Sequence, residues 1–240
     1  MTTEKSQEAK QLDLRRIMRA IDACLENADR LLKEGYDLEF RDPPASRYYL
    51  TMIAQEEIAK AFLLYLVHGQ VIPLSPAVGR AMNDHACKQL VGIIMDYMIM
   101  HWEELEELNA LIEGDIELGD SFPGDIGSAI EILRFEKIGR WEKNNWVWTE
   151  DPAYDKGILK IAEGDKDRRK QDAVYVRIGR DGSVNSTPWK ITEQEMKSEL
   201  ERAGRYMFFV QSLLEKQTRS YRVEKTIDAL KTLFSSPARR

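Results

Sequence analysis

Cysteine, histidine and glycine-rich phosphate loops are scarce or missing in this chain, and each shortage removes a chemistry. Cys24 and Cys87 are the only cysteines in 240 residues and no CxxC occurs, which argues against a disulfide scaffold or a thiolate zinc site; both read as reduced core cysteines. There are three histidines, His68, His85 and His101. None has an acid three residues before it, so the Glu-x-x-His pairs of a di-metal carboxylate bundle are absent. There is no H-E-x-x-H, no G-x-x-x-x-G-K-[ST] and no G-x-G-x-x-G, and no serine or cysteine stands in a recognisable nucleophile setting. The expectation is a protein without metal or cofactor. No run approaches 18 uncharged apolar residues, and the charged N-terminus MTTEKSQEAKQLDLRR has no apolar leader; the expectation is a cytoplasmic protein with no membrane span. A net charge of −6 argues against coating nucleic acid by bulk attraction, but leaves room for a local basic site.

What is present is helical periodicity. Leu14, Ile17, Ile21, Leu25, Ala28, Leu31 and Leu32 step by threes and fours, which predicts an amphipathic helix over about 6–34 with Gly35 at its end. Asp42-Pro43-Pro44 then signals a helix start. The next helix, about 45–67, is apolar around much of its girth and should be central to a bundle. A third helix, starting at Ser75-Pro76 or at Asn83 or Asp84, runs to about 113 and carries His101 on its apolar stripe. A fourth covers about 128–143, and Trp146 and Trp148 beyond it read as packing residues at one end of the bundle. Val174, Val176 and Ile178 alternate with Tyr175 and Arg177, a strand pattern, and Asp181-Gly182 is a hairpin turn. Thr192 with Glu195 is a capping box opening a last long helix through Phe234, with a kink near Ser220 and an end at Ser235-Ser236-Pro237. The fold class is mainly α, a helical bundle with a small β-hairpin before the C-terminal helix. The expectation is one helical domain over 1–240, made of core helices over 1–113, a helix, aromatic loop and hairpin over 114–191, and the C-terminal helix over 192–240.

Two stretches carry chemistry. YYLTMIAQEEIAKAFLLYLVHGQ holds Glu56, Glu57 and Lys60 within an apolar helix, and GRAMNDHACKQL follows with Arg80, Asp84, His85 and Lys88. Glu56 and Glu57 lie four and three residues before Lys60, so either carboxylate can share a helix face with the ammonium. These groups read either as a surface ion pair or as one polar pocket with His85 as its titratable member. An imidazole can move a proton to or from a ribose hydroxyl, and a guanidinium can hold the phosphate. On one continuous helix, residues five apart are turned by about 140°. Arg80 and His85 therefore share a pocket only if a helix begins between them or if they meet across a dimer. Otherwise Arg80 and Asp84 form a local ion pair. The densest basic run, Lys166, Arg168, Arg169 and Lys170, reads as a solvated loop or as a contact for RNA phosphates.

The order EEIAK, DHACK and RRKQDAVYVRIGRDG, followed by TEQEMKSELERAGRY, resembles the AbiV-like abortive infection proteins of bacteria, over about 20–88 and 166–206. That family is similar in turn to the HEPN group of small helical domains. The resemblance implies a HEPN-like bundle of long antiparallel helices. It also implies a role in antiphage defence, with a phage-encoded protein as trigger. Many HEPN proteins are metal-independent ribonucleases that use R-x(4–6)-H and act as dimers. This implies a homodimer acting on RNA, with His85 catalytic, Arg80 as its phosphate partner, and Glu56, Glu57, Lys60, Asp84 and Lys88 in support. The polar residue usual after the arginine is replaced here by Ala81. The competing expectation is a non-catalytic module that binds a protein partner or nucleotide through the same Glu/Lys/His network.

Overall fold

A computed structural model describes residues 2–103, 110, 123–137, 153–215 and 221–235. The chain is mainly helical, with one two-stranded antiparallel sheet among the described residues. Helix α1 (Thr2–Tyr36) packs along α2 (Ala45–His68). The two run antiparallel: Gly35 lies against Arg47, and Leu14 and Ile17 share a groove with Val67. The apolar girth of α2 has the expected result, since Ile58, Phe62, Leu63 and Leu66 are fully buried. Around α2 sit α1, α4 (His85–Met100) and α8 (Glu193–Leu214). The core they enclose also takes in Ile21, Leu90, Ile94, Met95 and Val210. Buried apolar area of this extent is the main force holding the bundle together.

Several elements depart from expectation, each for a local reason. The third helix is two: α3 (Pro76–Asn83) and α4. Both candidate starts are used. The Ser75 side chain caps α3 by accepting from Val78 N–H, and the Asp84 side chain caps α4 by accepting from Cys87 N–H. Helix α4 ends at Met100, with His101 at its C-cap against Tyr97. The fourth helix opens early as α5 (Gly124–Glu131) and widens into a π-helical turn over Ile132–Lys137. Trp141, Trp146 and Trp148 lie outside the described residues.

Helix α6 (Lys156–Ala162) leads to α7 (Asp165–Asp172). The basic run read as a loop is thus helical, and its four cations point to different neighbours. Only a short part of the expected strand pairs: β1 (Arg177–Ile178) with β2 (Val184–Ser186). Gly182 turns the hairpin with φ +82°, a backbone region glycine enters at no steric cost. A 3₁₀ turn (Pro188–Lys190) precedes α8. Thr192 caps α8 by accepting from Glu195 N–H, as the capping box requires. The Glu195 carboxylate, however, turns away to grip Arg169. The last expected helix divides into α8 and α9 (Tyr221–Ser235), which ends where the Ser-Ser-Pro signal placed it.

Candidate functional site

Glu56 projects from the middle of α2 with its side chain 4% exposed. A lone buried carboxylate would cost several kcal/mol (order of magnitude), and three side chains from two other helices converge to compensate it. Lys88, in the first turns of α4, donates to Oε2 at 2.7 Å. Lys170, in the last turn of α7, donates to Oε1 at 2.6 Å. The His85 ring, on the first residue of α4, brings Nδ1 to 2.6 Å from Oε2. Burial pushes the Glu56 carboxyl up, but hydrogen bonds from Lys170 and Lys88 and their charges outweigh it and hold the group below the ordinary carboxylate range. Glu56 is therefore an anion.

Two features of His85 follow. A separation of 2.6 Å between a carboxylate oxygen and a ring nitrogen requires a proton between them. With that proton on Nδ1, the neutral ring carries its lone pair on Nε2, and the Lys170 ammonium 2.9 Å away is a charged neighbour of Nδ1 and not a hydrogen-bond donor to it. The side chain is 46% exposed, and no hydrogen bond reaches Nε2 among the described residues. One ring edge is thus anchored to a buried anion and the other is open to whatever enters.

Lys170 also lies 2.8 Å from Asp167 Oδ1 and 2.9 Å from His85 Nδ1. Its side chain is 4% exposed, and its ammonium sits among a carboxylate from α2, a carboxylate from α7 and an imidazole from α4. Asp167 Oδ1 is buried and, although close to the ammonium, has no well-aligned hydrogen bond. The ligating atoms of Glu56, His85 and Asp167 lie within 4.8 Å of one another. This spacing suits a cation, and Lys170 supplies one.

The remaining expected residues fall in other places. Glu57 and Lys60 pair with each other at 2.5 Å. They do so beside Cys24 of α1, whose thiol is pushed up first by burial, and so they do not join the Glu56 cluster. Asp84 spends its carboxylate on the cap of α4. Arg80 is exposed at the end of α3, in an open cleft with Pro76, Gly79, Asn83 and Asp84. It makes no ion pair among the described residues, so the local Arg80–Asp84 bridge does not form. The helix break at Asp84 removes the angular objection to a shared pocket. Burial pushes the Cys87 thiol up to about 12, far from a reactive thiolate.

The basic run disperses. Arg168 bonds Asp165 and the Glu163 carbonyl, both nearby in sequence. Arg169 makes a bidentate pair with Glu195. Lys170 enters the Glu56 cluster. Lys166 borders a second polar layer where Gln55, Glu199, Arg202, Asp96 and Tyr206 tie α2, α4 and α8 together. Its ammonium is pulled down by burial and by Arg202. Asp167 was not anticipated at all. The signal that could have found it is its spacing of three from Lys170 on a helix, but nothing marked that stretch as helical.

A family model described as AbiV, of the HEPN type, matches residues 16–207. The chain belongs to this AbiV family. The match spans α1 through most of α8 and so takes in every residue of the Glu56 cluster. It places the chain among HEPN-related proteins of abortive infection. Neither the curated proteins nor the solved structures contain a match to it. No helix among the described residues of this AbiV-family chain is long and apolar enough to cross a membrane.

Proposed function

We propose that this AbiV-family protein is a cytoplasmic, metal-independent endoribonuclease that halts growth or translation in phage-infected cells. The observation that carries the reading is the half-exposed His85 ring, 2.6 Å through Nδ1 from the buried Glu56 carboxylate. Glu56 fixes the tautomer and presents Nε2 as a base. In the reaction, Nε2 takes the proton of a ribose 2′-hydroxyl and the 2′-oxygen bonds to the adjacent phosphorus. The bond from phosphorus to the 5′-oxygen breaks, leaving a cyclic phosphate and, once a proton is supplied, a 5′-hydroxyl. Arg80, without an ion pair among the described residues and in an open cleft beside Asp84, is the group available to hold the phosphate and offset the charge that builds on it. The chemistry needs an acid as well as a base. A homodimer would bring a second His85 for that role.

The test is His85→Gln. RNA cleavage and growth arrest should be lost while the melting temperature stays within about 2 °C of wild type, because a half-exposed ring contributes little to burial. Cleavage at the wild-type rate by this variant would end the proposal.

A second reading has its own support. Glu56 is fully paired within the chain, as in a network that only fixes packing, and such a module would bind a protein partner or nucleotide without catalysis. It predicts that His85→Gln lowers stability markedly and that wild type leaves RNA intact.

A further inference from the structure

We infer that Lys170 is a positioning residue whose ammonium stands where a divalent cation would otherwise stand, between Glu56, Asp167 and His85. Three elements far apart in sequence bring these groups around the ammonium. The ammonium lies 2.6 Å from Glu56 Oε1, 2.8 Å from Asp167 Oδ1 and 2.9 Å from His85 Nδ1. Two carboxylates and an imidazole with ligating atoms this close form a common donor set for zinc or manganese. Without a cation, the two carboxylates would repel each other in a poorly solvated space. Lys170 supplies the charge from the chain itself, so no ion has to be captured. Lys88 completes the arrangement on the other oxygen of Glu56.

The ammonium does more than neutralise. It fills the space on the Nδ1 side of the ring, so His85 cannot rotate toward Asp167, whose Oδ1 stays 3.9 Å from Nδ1. The ring is thus held on Glu56 and its Nε2 edge faces outward. The catalytic consequence rests on the ribonuclease reading. The cation-substitution claim rests on the geometry alone.

The full-length protein and its Lys170→Ala and Lys170→Gln variants separate the two. Thermal melting and calorimetric titration with zinc chloride, each repeated with excess EDTA, are the readouts. Wild type should show no His85-dependent zinc binding. Lys170→Ala, with the cation removed and the donors left, should bind about one zinc per chain. Its melting temperature should rise with zinc concentration, as for any ligand that binds only the folded state. Adding Asp167→Asn to that variant should abolish the effect. RNA cleavage by Lys170→Gln should fall about 10- to 100-fold, the usual loss when a residue that orients an imidazole is removed.

Zinc binding by wild type through His85 overturns the inference, and so does folded Lys170→Ala that ignores zinc. If both variants unfold, recovery of the fold by zinc supports it, and failure to recover at any zinc concentration overturns it. A wild type that never cleaves RNA would refute the ribonuclease reading and leave the metal-binding result to decide this one.

Discussion

Glu56 and Glu57 are adjacent in sequence and belong to two different kinds of electrostatics. One residue along an α-helix turns the side chain by about 100°. That rotation sends Glu56 into a cluster assembled by α2, α4 and α7, and Glu57 toward α1. Glu57 meets Lys60 of its own helix at 2.5 Å, with side chains 14% and 25% exposed, so water can replace either partner. The Glu56 side chain is 4% exposed and its partners Lys88 and Lys170 are 7% and 4% exposed. Water cannot replace them there. Proximity of opposite charges is similar in the two pairs. What differs is whether the unpaired state is tolerable.

The comparison can be broken most directly at Glu56. Glu56→Gln leaves the buried Lys88 ammonium without its counter-charge and Lys170 with Asp167 alone, and should destabilise the fold by about 3–5 kcal/mol, read from urea unfolding at pH 7. A loss below about 1 kcal/mol would mean the two glutamates are equivalent after all. Acid should give the next largest effect. The Glu56 carboxyl is lowered in the folded state, while in the unfolded chain it titrates near ~4.3. The native state then binds fewer protons, so Glu56 contributes stability above the unfolded value. That contribution is lost as pH falls through the lower folded value. Unfolding followed from pH 6 down to pH 2 should show this loss in wild type and not in Glu56→Gln. A parallel slope in the two proteins would contradict it.

Gln89 sharpens the comparison from the polar side. It is 7% exposed, both ends of its amide lack a protein partner among the described residues, and it borders a cavity of about 10 Å³ with Glu56, Lys88, Lys166 and Tyr206. Gln89→Met should leave stability unchanged or raise it by about 1 kcal/mol, because it removes two orphaned groups. A fall of that size would instead indicate a water held in the cavity. The smallest effect belongs to Glu57→Gln, below about 1 kcal/mol and shrinking in high salt, because this half-buried pair is still reached by solvent.

Helix α2, with its bounds set by Asp42-Pro43-Pro44 and by the end of its apolar run, was legible in the sequence, as were the Thr192 cap and the Asp181-Gly182 turn. Each is a local signal. The meeting of His85 with Glu56 was legible only as one of two options. The choice between Glu56 and Glu57 depends on helix phase relative to neighbours that the sequence does not locate. Helix α7 was missed because DKDRRKQD has no apolar residue to mark a period, and what it buries is Lys170 and Asp172. Lys170 reaches its partner across 114 positions, and no spacing rule covers such a distance.

If the protein acts on RNA as proposed, Asp84 bears on how a phosphate would approach. Backbone amides at the start of a helix ordinarily attract anions, and His85 is the first residue of α4. Asp84 already lends its own negative charge to those amides through Cys87. On the proposed ribonuclease reading, an incoming phosphodiester would meet repulsion at that doorway, and Arg80, which lines the same cleft as Asp84, would have to offset it. Helix capping and the proposed capture of a phosphate would thus compete for the same few amides, and serine, a neutral residue that still caps, would shift that competition toward the phosphate.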